Sequence, residues 1–105
     1  MAIRSTGTVS TDRPERYGKQ LTNHMSRRHG GEWFAETSTG WIDLSSGRVE
    51  VSCPGGTLTL VLDSPDEETS AQLEHVIDIH LVRFAGENEI STAWVREQRT
   101  GTPEA

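Results

Sequence analysis

Thiols are almost missing from this chain of 105 residues. Cys53 is the single cysteine, so neither an intramolecular disulfide framework nor a cysteine-built zinc site can form within one chain. Long apolar runs are missing too. Nothing approaches the roughly 18 consecutive apolar residues of a membrane span, and Met1 to Ser10 lacks the apolar stretch of a secretory signal. A cytoplasmic protein with no membrane partner is the expectation. Positive charge is the third shortage: 10 Lys and Arg face 16 Asp and Glu, and the net charge of −6 speaks against a nucleic acid partner. Apolar residues make up only 32% of the chain, which suffices for one core and excludes a second domain.

What charge there is lies unevenly. Arg4, Arg13, Arg16, Lys19, Arg27 and Arg28 against Asp12 and Glu15 give the first 31 residues +4, leaving −10 for the rest. In a compact domain the two signs are expected to face each other across the fold. Residues 1–5 and 97–105 are polar and show no period, so both are expected to be disordered tails around one domain at 6–96.

The first strong element opens at Thr11-Asp12-Arg13-Pro14-Glu15, which reads as a capping box with Pro in the first turn. A helix is predicted from Pro14 to His29, stopped by Gly30-Gly31. Gly18 inside it costs about 1 kcal/mol relative to Ala, so something must approach closely there or packing must compensate. From Glu32 to Asp63 the period switches to two, broken at Ser38-Thr39-Gly40, Ser45-Ser46-Gly47 and Pro54-Gly55-Gly56, which predicts four hairpin-linked strands. Val49, Val51 and Cys53 share one face, as do Leu58, Leu60 and Leu62, so the sheet has one oily and one wet face. Ser64 to Glu68 starts a second helix reaching Phe84, a last strand spans Ile90 to Val95, and Thr6 to Ser10 suits a short edge strand. The order (β)αββββαβ predicts an α+β two-layer sandwich, with two helices on one face of an antiparallel sheet. The strand order stays open.

Imidazole is the chief candidate for chemistry. Leu73, Val76, Ile77, Leu81 and Phe84 form the apolar stripe of the second helix with His80 in its middle, while His24 follows Tyr17, Leu21 and Met25 in the first. Both helices are thus expected to aim a histidine inward, with His75 and His29 solvated. In one reading each is a hydrogen-bonded core residue. In the other they converge, with Tyr17 and Arg28, on a small-ligand or metal site between helices and sheet. No carboxylate is expected on either stripe, and neither helix has an i, i+4 histidine pair, so metal ligation rests on His24 and His80 alone. Cys53 is expected to pack inertly, the serines lack a nucleophile-elbow context, and no phosphate-cradling glycine motif exists. Trp41 alternates to the wet face with Arg48 and Glu50, a contact surface suited to a partner or a sheet-to-sheet homodimer.

The stretch Arg13-Pro14-Glu15-Arg16-Tyr17-Gly18-Lys19-Gln20-Leu21 followed by His24 resembles the opening of a bacterial family known only as domain of unknown function 2218. Ser46-Gly47-Arg48 resembles its mid-sheet turn, and Leu73-Glu74, Val76 and His80-Leu81-Val82-Arg83-Phe84-Ala85 its second helix. Met25 departs from a common aromatic, and Thr22 or Asn23 from a common Cys, which removes a thiol role. The resemblance implies a stand-alone prokaryotic protein without established activity. It also implies an association with flavin-dependent siderophore-interacting reductases, and so with iron. The expected function is therefore a ligand-binding or accessory module, for an iron-related or other small molecule, at His24 and His80. The alternative is a structural or interaction protein with core histidines. The third reading is an enzyme using one histidine as general base.

Overall fold

The computed structural model describes residues 2–85 and 91–99, with side chains placed for all of these except 2, 28, 29, 84, 85, 91, 98 and 99. The strands are β1 (Ala2–Ser10), β2 (Gly31–Phe34), β3 (Thr39–Asp43), β4 (Arg48–Ser52), β5 (Leu58–Ser64) and β6 (Ser91–Arg99), and the helices are α1 (Pro14–His29) and α2 (Glu67–Ala85). All strands pair antiparallel in one sheet of order β2-β3-β4-β5-β1-β6. α1 lies over β2 and β3, α2 over β5 and β1, and the helices touch each other. This is the α+β two-layer arrangement that the alternation and the two amphipathic helices require.

The core lies between the layers. Leu58, Leu60 and Leu62 of β5 are fully buried beside Val49, Val51 and Ile42, and Leu21, Met25, Ile77 and Leu81 close them from the helices. Burying each large side chain stabilises the fold by about 2 kcal/mol. Gly18 meets this core: a Cβ there would lie 3.1 Å from Leu58, 3.2 Å from Trp33 and 3.3 Å from Val51, which is the close approach its presence in a helix demanded.

Several expectations need correction. β1 begins at Ala2 and sits between β5 and β6, so it is neither an edge strand nor preceded by a tail over residues 2–5. Its inward positions include Ser5 and Gly7, a hydroxyl and a bare Cα, so the chain shows little apolar alternation there. β6 runs on through Arg99, because its backbone stays paired with β1 as far as Ala2, and Arg96 in this stretch is held by an ion pair rather than by an apolar contact that the sequence pattern would show. Residues 100–105 of the expected C-terminal tail, and Ile90 of the expected last strand, lie outside the described residues. The capping box does not form. Arg13 is the N-cap of α1 without any side-chain bond, and the Thr11 hydroxyl instead accepts the Arg13 N–H at 3.2 Å. α2 is the capped helix, where the Asp66 carboxylate accepts the Thr69 N–H at 2.8 Å.

The inward histidines are also corrected. Gly18 and Thr22 are buried along with Tyr17, Leu21 and Met25, so the buried arc of α1 centres beyond Leu21. At about 100° per residue, His24 then falls about 90° from the middle of that arc, and it is exposed. In α2 the buried arc is Ser70, Leu73, Glu74, Ile77 and Leu81, which leaves His80 on its flank and Val76 exposed. A carboxylate does therefore lie on the buried face of α2, because the Ser5 and Ser70 hydroxyls and Arg96 receive it there.

Candidate functional site

The two displaced histidines meet each other. Both leave the buried arc on the side where the helices touch, and their rings stand 5.0 Å apart between centroids, tilted by 51°. Residues 56 positions apart in sequence thus make one surface feature. Val76 lies one turn before His80, and its carbonyl accepts the His80 Nδ1–H at 2.7 Å. A carbonyl can only accept, so Nδ1 carries the proton and Nε2 of the neutral ring keeps its lone pair.

Next to His24, the outer face of α1 forms a shallow concavity of about 430 Å³ lined by Arg16, Lys19, Gln20, Asn23, His24 and Arg27. Three of these carry positive charge and none is a carboxylate. Three of the six cations of the first third gather here, while Glu32, Asp43, Glu50, Asp63 and Glu97 stand on the far side of the sheet. The two signs meet in part as expected: Arg4 of the basic first third pairs with Asp63 on the open face of the sheet, while Arg16, Lys19 and Arg27 of α1 face away from the sheet that the helix covers. Arg16, Lys19 and Arg27 are additions to the predicted site, and the +4 of the first third was the signal that pointed to them.

Of the residues expected to join the histidines, Tyr17 is buried in the core instead, and the side chain of Arg28 lies outside the described residues. Among the described residues no group of three or more His, Cys, Asp or Glu side chains comes together to hold a metal. Cys53 is half-buried against the core, and burial, with a smaller effect of Glu15, pushes its thiol up.

A second polar cluster lies under α2. The Glu74 carboxylate accepts the Ser5 hydroxyl at 2.5 Å, the Ser70 hydroxyl at 3.0 Å and both arms of the Arg96 guanidinium at 2.9 and 3.0 Å. Burial pushes its pKa up, but the bonds from Arg96, Ser5 and Ser70 outweigh burial and hold it below the ordinary carboxylate value. One turn on, burial pushes the Asp78 carboxyl up, although the Trp94 indole N–H donates to it at 3.0 Å. Both oxygens of Glu74 are engaged, three bonds on Oε2 and one on Oε1, so this cluster fastens α2 to β1 and β6.

Trp41, Arg48 and Glu50 do stand together on the open face of the sheet, where Trp41 opposes Glu50 and the Arg48 guanidinium lies 4.7 Å from the Trp41 ring centroid. The adjoining cross-strand row runs Asp43, Arg48, Asp63, Arg4, Glu97, alternating in sign, and Arg4 holds Asp63 through two bonds at 2.9 and 3.2 Å. The exposed apolar residues Phe34 and Val95 sit on the opposite edge strands β2 and β6. On this face Arg4 pairs with Asp63 and Arg48 stacks on Trp41.

Fold and site together define a small α+β domain whose most distinctive feature is a histidine pair beside a cationic groove. The chain belongs to the family described as uncharacterized protein conserved in bacteria (DUF2218), which matches residues 6–95. It is similar to PA4090 from Pseudomonas aeruginosa, whose NMR structure superposes with a TM-score of 0.68 at 30% identity, covering 89% of this chain and 95% of that one. No curated protein matches the chain. No helix among the described residues is long and apolar enough to cross a membrane.

Proposed function

We propose that this protein is a binding or accessory module rather than an enzyme, and that it holds a small anionic molecule in the cationic concavity on the outer face of α1, beside the histidine pair. The observation that carries this reading is the meeting of His24 and His80 at 5.0 Å beside a concavity lined by Arg16, Lys19 and Arg27. Cations grouped without a carboxylate among them favour an anion, and imidazoles add directional hydrogen bonds. Anionic iron chelates, such as ferric carboxylate or catecholate complexes, belong to the class suggested by the family resemblance and fall within this reading. The enzyme reading, with one histidine as general base, is the weakest, since Tyr17, which was expected to assist it, is buried in the core. The interaction-surface reading is the weaker of the two binding readings, because Arg4 and Arg48 on the open sheet face are already engaged with Asp63 and Trp41.

The test is an amide NMR titration with inorganic phosphate, citrate, gallium citrate as a diamagnetic iron-chelate mimic, and flavin mononucleotide. Shifts confined to residues 16–27 and the turn around His80 are expected for at least one of them. Absence of any localised shift at millimolar ligand would sink the proposal. His24 is exposed, so His24→Ala should change stability by less than about 0.5 kcal/mol while reducing binding.

A further inference from the structure

The histidine pair has the dimensions of a chelate. Metal–imidazole bonds are about 2.0–2.1 Å and the ring centroid lies roughly 1.1 Å beyond the nitrogen, so two rings on one ion have centroids about 4.5 Å apart at a right angle and about 5.2 Å apart at a tetrahedral one. His24 and His80, at 5.0 Å and tilted by 51°, fall inside that interval. The Nδ1–H of His80 is tied to the Val76 carbonyl, the arrangement that orients a ligating imidazole and leaves Nε2 for the ion. Neutral imidazole suits borderline ions of the zinc, nickel and copper class.

We infer that His24 and His80 form a two-imidazole site for a divalent ion of this class, which reaches the protein already carrying an anionic chelator. Two features of the surroundings favour a chelator. Among the described residues no third His, Cys, Asp or Glu joins the pair, which leaves coordination positions that a chelator can fill. Arg16, Lys19 and Arg27 line the groove at His24, and Arg83 follows His80 on α2; these cations oppose a bare dication and favour a complex of net negative charge. The ion supplies the bond to the imidazoles and the chelator supplies the charge for the groove. This deepens the anion-binding reading and rests on it for the chelator alone.

Nickel nitrilotriacetate is a suitable probe: it carries a net negative charge and leaves two adjacent positions open. Its binding is measured by calorimetry and amide NMR beside metal-free nitrilotriacetate and zinc chloride, from about pH 7.5 to about pH 5.5, across the ordinary imidazole range. The nickel chelate is expected to bind more tightly than zinc chloride or the metal-free chelator. Its affinity should fall at least about tenfold in His24→Ala, His80→Ala or His80→Gln, and at least about tenfold on acidification, because metal needs unprotonated imidazole. The His80→Gln variant and thermal melts separate lost ligation from lost folding. A purely electrostatic anion site gives the opposite pH trend, since protonated imidazoles add positive charge. Nickel chelate affinity that rises with acid, or that survives both alanine substitutions, overturns the metal site and leaves the anion reading standing. No response to any probe overturns both.

Discussion

Arg96→Ala tests the account of the buried carboxylate under α2. In the native protein the guanidinium closes two bonds on Glu74, whose side chain is 9% exposed, while the Arg96 side chain is 38% exposed. Breaking a fully buried pair costs about 3–5 kcal/mol, and a fully exposed pair is worth about 0–1 kcal/mol. The carboxylate is buried here but the arginine can return to water, and Glu74 keeps the Ser5 and Ser70 hydroxyls as donors. An intermediate loss of about 2 kcal/mol follows at neutral pH, or roughly 10 °C in melting temperature for a domain of this size. The sign of the pH dependence is a stricter check. Glu74 is held below its ordinary pKa, so its contribution is present above the unfolded carboxylate value, about 4.3, and is lost as pH falls through the folded one. Without Arg96 the burial effect meets less opposition, and the charged carboxylate destabilises at neutral pH. The deficit of the variant should therefore shrink between about pH 7 and about pH 4. Urea unfolding followed by tryptophan fluorescence at both values measures it. A loss under about 0.5 kcal/mol at neutral pH, or a deficit that grows in acid, would refute the reasoning.

Three further outcomes follow from neighbouring groups. A Cβ added at Gly7 would lie 2.8–3.0 Å from the Trp94 ring, so Gly7→Ala should cost about 1–3 kcal/mol and alter the fluorescence of Trp94 as the indole leaves Asp78; an unchanged spectrum and melt would count against that packing. Asp78→Asn keeps an acceptor for the indole and removes a charge that burial disfavours. Because the Asp78 pKa is raised, the penalty is absent at low pH and grows as pH rises, so the variant should gain up to about 1 kcal/mol at neutral pH and nothing near pH 3, as read by urea unfolding. The raised thiol of Cys53 should react with iodoacetamide several-fold more slowly than free cysteine at mildly alkaline pH, and equal rates would contradict its burial.

The helices, the hairpin strands and the α+β class were legible in the chain because their signals are local. The turn residues punctuate a period of two between β2 and β5, and the run from Pro14 to Gly30 carries its own start and stop. β1 was only partly legible, since Ser5 and Gly7 occupy inward positions that an apolar pattern would have marked. The pairing of His24 with His80 was half legible: periodicity set each within an inward stripe, but the true position of that stripe depends on Gly18, Thr22, Ser70 and Glu74, which leaves both histidines on its flank.

The sequence by itself determined the element order, the oily face of the sheet and the absence of disulfide chemistry, because each follows from neighbouring residues and their spacing. Tertiary structure alone decided that β1 enters between β5 and β6, that Glu74 is buried against Ser5 and Arg96, and that the histidines face one another at the surface. Those outcomes depend on which polar groups find partners more than 12 residues away. No local period encodes such a partner, and a buried charge is tolerated only where one is present.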